Sequence, residues 1–234
     1  MNRKLIRRLG ITGVAALLSY TAAVLFAPLA WPGYNWMVQA VSDLSAESAP
    51  SRILWNQLAA PYGICTVVCV TLVSVFVSEE KIGSGIFRLG IHLFTVMNWV
   101  SAIGYSMFPL QDAGNEITSV QESLHIAVTV LVVVLSILSL VILFIAGIRG
   151  RKTRGVGIFA GTAFLMMLAG AIGTGALPKE YFGIAERFSV FAASGFTAVL
   201  GMYLYFGFKP RQDGGKVLER ADNNSEGSAS EKSV

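Results

Sequence analysis

The sequence predicts an all-α fold: a polytopic membrane bundle of six transmembrane helices with a long first outer loop. Three observations predict it. The chain is 54% hydrophobic and only 14% charged, whereas soluble domains carry about 25% charged residues. Its apolar residues are gathered into six blocks, each near the roughly 20 residues that a helix needs to cross a bilayer. Its basic residues flank these blocks asymmetrically, which is typical of a protein oriented across a membrane.

The six apolar blocks set the predicted helix boundaries. They cover residues 9–31, 53–77, 85–108, 124–148, 156–177 and 184–208. A basic cytoplasmic N-terminus (residues 1–8) precedes the six-helix transmembrane domain (9–208). The chain then turns polar and serine-rich, which predicts a disordered cytoplasmic tail over residues 209–234.

The distribution of basic residues predicts that both termini are cytoplasmic. With the N-terminus inside, all but three of the 18 Lys and Arg residues fall in cytoplasmic segments; the exceptions are Arg52, Lys179 and Arg187. An even number of spans then returns the C-terminus to the same side. We therefore expect a multi-pass protein of the inner (plasma) membrane. Its partner is the lipid bilayer, and the net charge of +4 is explained by orientation rather than by nucleic acid.

Four polar clusters, far apart in sequence, are predicted to lie together at the outer face. They are residues 42–50 in the first outer loop, 108–112 at the end of the third helix, 122–125 at the start of the fourth, and 183–187 at the start of the sixth. A polar side chain near membrane depth usually faces the bundle interior and has a partner. The clusters therefore predict one shared polar site that opens outward.

These clusters supply candidates for chemistry. The candidate catalytic acids and bases are the titratable side chains Asp43, Asp112, His125 and Glu186. The candidates for substrate binding are a cation and two hydroxyls, Arg187, Ser42 and Ser45. A serine nucleophile needs a base within hydrogen-bond reach, so a triad of Ser42 or Ser45 with His125 and Asp112 is one interpretation.

Structural roles are open for the same residues. Asp43 and Ser45 could cap a short helix in the loop, and His125 could join two helices by a hydrogen bond. Glu186 or Arg187 could bond across the bundle to Asp43 or Asp112. Glu122 and His125 could contribute two metal ligands, but zinc takes three or four protein ligands. We therefore predict neither a metal nor a cofactor.

Three short motifs run through these clusters in a fixed order. They are Ser42-Asp43-Leu44-Ser45 followed by Pro50, Phe108-Pro109-x-x-Asp112 followed by His125, and Gly183-x-x-Glu186-Arg187. In this order and spacing they resemble the signatures of the domain of unknown function 998 family, over about residues 9–208. The resemblance implies a multi-span prokaryotic membrane protein and supports the site positions, but it implies no particular reaction.

The function predicted from these observations is a binding or regulatory membrane module with an outward-facing polar site. One alternative is an outer-leaflet enzyme, hydrolase-like or transferase-like, that acts on a lipid or isoprenoid substrate. A second is a small-solute transporter, which is disfavoured because no acidic residue lies near the bilayer midplane. An enzyme requires several catalytic candidates around one void, and a transporter requires a route toward His92 or Asn98. A regulatory module would have its polar side chains paired with one another.

Overall fold

The described part of the chain is a bundle of α-helices without a strand. The computed structural model describes residues 2–112 and 119–209. Within these ranges the helices are α1 (Arg3–Leu9), α2 (Ile11–Phe26), α3 (Arg52–Glu79), α4 (Gly85–Met107), α5 (Val120–Ile148), α6 (Arg154–Ala176) and α7 (Phe182–Phe206). Helices α1 and α2 join with the 3₁₀ turn Ala27–Ala30 into one span, Arg3–Ala30, and six spans result. The predicted all-α, six-span bundle is confirmed.

Most boundaries agree with the predicted ones to within three residues, and two helices begin four or more residues earlier. The first span begins at Arg3 rather than residue 9, because the Asn2 side chain accepts the free backbone N–H groups of Lys4 and Leu5. The fourth begins at Val120 rather than residue 124, because Ser119 caps it. The predicted disordered tail lies outside the described residues except for Lys209.

Neighbours along the chain are neighbours in space. The spans form a closed ring in the order α2, α3, α4, α5, α6, α7 and back to α2, and α3 also contacts α7 across the middle. We call one end of the bundle the loop end: it holds residues 31–51, residues 108–112 after α4, residue 119 before α5, and the α6–α7 link. The opposite end is the tail end. All four polar clusters therefore lie at the loop end.

Apolar side chains form both the centre and the exterior of the bundle. Aromatic and aliphatic side chains from α3 to α7 fill the centre, among them Phe87, Phe94, Met97, Leu143 and Leu200. Large apolar side chains also cover the outside, where Leu18, Leu25 and Ile53 are more than 60% exposed. Lipid is the solvent that suits such a surface. The chain is a multi-pass membrane protein.

Candidate functional site

The segment from residue 31 to 51 folds over the loop end of the bundle in an ordered conformation. Ser42–Ser45 forms a 3₁₀ helix whose Leu44 is fully buried. The Asp43 carboxylate turns back and accepts the backbone N–H of Ala40 at 3.0 Å. The Ser45 hydroxyl donates to the Ser42 carbonyl at 2.8 Å. Asp43 and Ser45 therefore stabilise the turn from within rather than as N-caps, because Val41 occupies the N-cap position.

Arg187 binds the backbone of this loop. Its Nη1 group donates to the carbonyls of Trp36 at 2.7 Å and Gln39 at 3.3 Å, and to Gly183 in its own helix at 2.7 Å. Its Nη2 group donates to the Tyr34 hydroxyl at 2.9 Å. Sequence analysis left open which of Glu186 and Arg187 bonds to Asp43 or Asp112, and the hydrogen bonds of Arg187 go to carbonyls and to the Tyr34 hydroxyl. A guanidinium offers five donors in a fixed fork, and here they bind neutral oxygens, three from the loop and one from α7 itself.

Glu186 contacts the next part of the same loop. Its carboxylate accepts the backbone N–H of Val41 in a short hydrogen bond and lies 3.4 Å from the Ser42 hydroxyl. Consecutive helical residues diverge by about 100°, so Glu186 and Arg187 reach separate stretches of the loop. The Val41 side chain packs with Tyr20 and Val24 beneath it. Glu186 therefore fixes the point where the loop enters the bundle.

Gly183, the remaining residue of the third motif, lies against the backbone of the loop. Its backbone N–H, one of the free donors of the first turn of α7, donates to the Met37 carbonyl at 2.9 Å. A Cβ at this position would collide with the carbonyl oxygens of Gln39 and Trp36. Only glycine lets the loop backbone approach so closely. We call this set, Gly183, Glu186 and Arg187 with residues 34–42, the loop–α7 junction.

The loop also contacts the segment after α4. The backbone N–H of Glu47 donates to the Leu110 carbonyl at 2.9 Å, and that of Ser48 donates to the Gln111 carbonyl at 3.1 Å. These bonds continue the contact from α7 to the α4–α5 link. Asp112, the next residue, is exposed. The first loop thus joins two sides of the ring that lie far apart in sequence.

A capping box organises the start of α5. The Ser119 hydroxyl accepts the backbone N–H of Glu122 at 3.1 Å, and the Glu122 carboxylate accepts that of Ser119 at 3.2 Å. The Ser119 hydroxyl also donates to the Gln111 side chain at 2.6 Å. This arrangement satisfies two backbone donors reciprocally and gives Glu122 a structural role. Among the described residues, no group of three or more His, Cys, Asp or Glu side chains could hold a metal ion.

His125 lies one turn further into α5 and joins that helix to α4. Its Nδ1 lies 2.8 Å from the Phe108 carbonyl. A carbonyl only accepts, so Nδ1 carries the proton, and in the neutral ring Nε2 keeps its lone pair. The ring also packs on Tyr105, with centroids 5.0 Å apart, and the Tyr105 hydroxyl donates to Thr129 at 3.1 Å. The interhelical role proposed for His125 is what the geometry shows.

Sequence reasoning missed a group of aromatic residues beneath the loop. Tyr20 packs against Tyr62, Phe191 and Trp55, with centroids between 4.6 and 5.9 Å apart. Glu186 lies near enough to interact electrostatically with Tyr20 and Tyr105. Each of these tyrosines lies within about three turns of the loop end of its helix. Their similar distance along the helix from the loop end could have indicated from the sequence that these aromatic residues lie together.

The structure brings most of the predicted site residues to one end but does not join them into a triad. Ser42 lies near Glu186, Ser45 donates to Ser42, and His125 contacts Phe108. Two surface grooves lie on the bundle, and the second of them borders the loop end. One, of about 370 Å³, lies along α4 beside Val96 and Trp99. The other, of about 230 Å³, lies between α6 and α7 and is lined by Trp36, Met166, Ile184, Arg187, Phe188 and Phe191.

The comparisons with known proteins concern the family alone. A family model described as a protein of unknown function (DUF998) matches residues 14–203. This range includes all three motifs of the loop end, and it confirms the resemblance found in the sequence. Comparisons with curated proteins and with solved structures gave no match.

Proposed function

The chain belongs to the DUF998 family, and we propose that within it this protein is a binding or regulatory module of the membrane. In this proposal the loop of residues 31–51 is a preformed recognition surface held on the bundle by α7. Its ligand is a membrane component, a lipid or an isoprenoid, rather than a nucleic acid. The polar residues of the loop end serve to hold the shape of that surface.

One observation carries the proposal: the polar side chains of α7 are used on the loop itself. Arg187 makes four hydrogen bonds, three of them to backbone carbonyls, and Glu186 accepts the Val41 N–H. Buried or half-buried charges cost free energy unless hydrogen bonds compensate them. Side chains committed in this way fix a backbone conformation, which is what a preformed binding surface needs.

We place the loop end on the outer side of the plasma membrane, with both termini in the cytoplasm. The argument is the excess of Lys and Arg at the tail end, where Arg3, Lys4, Arg7 and Arg8 begin the chain and four more basic residues lie between Arg149 and Arg154. On this orientation the recognition surface faces the outer leaflet and the space beyond it.

His125 favours a second candidate, an outer-leaflet enzyme acting on a lipid or isoprenoid substrate. Its Nδ1–H is fixed by the Phe108 carbonyl, which leaves Nε2 as a base of defined orientation. If the protein is such an enzyme, Asp43, Asp112 and Glu186 are its further candidate acids and bases. Arg187 would then bind a negatively charged group of the substrate. The two grooves described above are lined by none of the three carboxylates, so the binding module is preferred.

Comparative lipid analysis separates the two candidates. Lipids would be extracted from cells with the wild-type protein, cells without it, and cells carrying His125→Ala at matched protein abundance. A binding module converts no lipid, so we expect no lipid species to appear or vanish in either altered strain. A species that accumulates both without the protein and with His125→Ala would overturn the proposal in favour of the enzyme.

A further inference from the structure

The α6–α7 groove has an apolar lining, and one of its lining residues, Arg187, carries a charge. Ile184, Phe188 and Phe191 lie on one stripe of α7, and Met166 of α6 lies opposite. The Phe188 side chain is 46% exposed and Trp36, from the loop, is 54% exposed. In a multi-pass protein such a groove faces the lipid and opens sideways into the bilayer.

The groove runs along the axis of α7. From Ile184 to Phe191 the stripe is seven residues long, or about 10 Å. It begins in the first turn of α7, beside the loop, and ends near the level of Met166, ten residues before the end of α6. An acyl or isoprenoid chain that enters from the leaflet on this side would lie along the stripe with its head toward the loop.

Arg187 supplies the charge of the groove. The base of its side chain lines the groove, and its guanidinium reaches the loop and lies over the Trp36 ring, 5.9 Å from the centroid. Nη1 serves three carbonyls and one Nη2–H serves Tyr34. Among the described residues, the Nε–H and the second Nη2–H have no acceptor. These remaining donors suit the oxygens of a phosphate.

The acidic residues nearby are hydrogen-bonded to the loop and do not line the groove. Glu186 is turned toward Val41 and Ser42, and Asp43 holds Ala40. Neither lines the groove, and no carboxylate does. A negative headgroup therefore meets the guanidinium without a carboxylate in the groove to repel it.

We propose that the α6–α7 groove binds a phospholipid of net negative charge, with its chain along Ile184, Phe188 and Phe191 and its phosphate on the Nε side of Arg187. The proposal rests on the binding-module function and names its ligand class. The phosphate completes the hydrogen bonding of the same guanidinium that organises the loop. Lipid binding is thereby linked to the conformation of residues 34–42.

The test is lipid selectivity measured by electron paramagnetic resonance. Full-length protein in nanodiscs would be given phosphatidylglycerol or phosphatidylcholine with the same spin-labelled chain, and the immobilised fraction of each would be compared. We expect the wild-type protein to prefer phosphatidylglycerol by about fivefold to tenfold, the scale of a charge-assisted pair. Inorganic phosphate, which has no chain, should not displace the lipid.

Matched variants locate the binding. Ile184→Trp fills the groove and should abolish the preference, whereas Ile172→Trp changes a 58% exposed residue of α6 outside the groove and should preserve it. Equal immobilisation of both lipids by the wild-type protein would overturn the proposal, as would a preference that survives Ile184→Trp. Neither result would decide whether the protein is a binding module. The comparative lipid analysis described above tests that function without reference to this groove.

Discussion

Two consecutive residues, Glu186 and Arg187, bind one loop, the first as a hydrogen-bond acceptor and the second as a donor. The carboxylate accepts a backbone N–H and the guanidinium donates to backbone carbonyls. Because their side chains diverge by about 100° on the helix, each reaches a different stretch of the loop. Gly183, one turn earlier, supplies the space that brings the loop close. The spacing Gly-x-x-Glu-Arg is thus explained by one junction.

Gly183→Ala should open this junction. The added methyl would meet the carbonyls of Gln39 and Trp36, and overpacking of this kind costs about 1–3 kcal/mol. We expect the loop to become sensitive to limited proteolysis in nanodiscs. Gly195→Ala in the same helix is the control, because a Cβ there meets nothing within 4 Å. Equal proteolysis of the two variants would contradict the role given to Gly183.

Tyr34 should make the junction sensitive to alkaline pH. Burial raises the pKa of this phenol above its ordinary value of 10.0, and the nearby Arg187 partly opposes the rise. The neutral hydroxyl accepts from Arg187 and donates to the Ala40 carbonyl at 2.8 Å. With a raised folded-state pKa, its contribution is present below about pH 10 and is lost as pH rises through the folded-state value.

The measurement is proteolysis of the loop as a function of pH. We expect constant protection between about pH 6 and 9 and a decline above about pH 10. Tyr34→Phe removes both hydrogen bonds and should show weaker protection at every pH, without the alkaline decline of this group. A steep loss of wild-type protection near neutral pH would show that another group governs the junction.

At the scale of elements, the start of α5 shows how the links between helices are fixed. The capping box of Ser119 and Glu122 starts the helix, and the second hydrogen bond of Ser119, to Gln111, ties it to the segment after α4. That segment in turn accepts the backbone N–H groups of Glu47 and Ser48. One cap therefore stabilises both the helix and the far side of the first loop.

Ser119→Ala should lower the thermal stability of the protein. Loss of an N-cap costs about 1 kcal/mol, which corresponds to a few degrees in Tm for a domain of this size. Thermal unfolding followed by circular dichroism would measure it. Ser123→Ala, whose exposed hydroxyl contacts only the Ser119 carbonyl, is the control and should change Tm little. A shift no larger than that of the control would contradict the cap assignment.

The elements were predictable from sequence to different degrees. The six spans followed from apolar blocks, because lipid demands long uninterrupted runs. The predicted start of α5 was four residues too far along the chain. The prediction used the apolar run, and the capping box that starts the helix lies before that run. A carboxylate was predicted as the partner of Glu186 or Arg187, whereas the hydrogen bonds of Arg187 go to three carbonyls and the Tyr34 hydroxyl. The sequence shows which side chains are present, but it does not show where the backbone of a loop will lie. It could therefore predict that the polar clusters meet, but not the hydrogen bonds from α7 to the loop backbone.

At the scale of the whole molecule, the ring of helices brings together clusters up to 145 positions apart in sequence, as between Val41 and Glu186. His92 and Asn98, the residues of a hypothetical transport route, have local partners. His92 is exposed on the outside of the bundle and contacts Ser74 and Ser78 of α3, and Asn98 donates to Phe94 in its own helix. The contacts of His92 with α3 suit helix association, whereas the hydrogen bond of Asn98 lies within its own helix.

The proposed orientation predicts opposite accessibility of the two ends of the bundle. In a Cys65→Ala, Cys69→Ala background, Glu47→Cys in the loop should react with a membrane-impermeant maleimide in intact cells. Lys152→Cys, between α5 and α6, should react only after the cells are permeabilised. The same pattern for both positions, or the reverse pattern, would contradict the positive-inside assignment.

Amide hydrogen exchange at the loop tests the central claim most directly. In the full-length protein in nanodiscs, we predict strong protection of the amides of Ala40, Val41 and Gly183, whose acceptors are Asp43, Glu186 and the Met37 carbonyl. Arg187→Lys keeps the charge but loses the fork; a loss of about 2 kcal/mol corresponds to roughly 30-fold faster exchange. Wild-type exchange at the rate of an unstructured peptide, or exchange that Arg187→Lys leaves unchanged, would contradict the account.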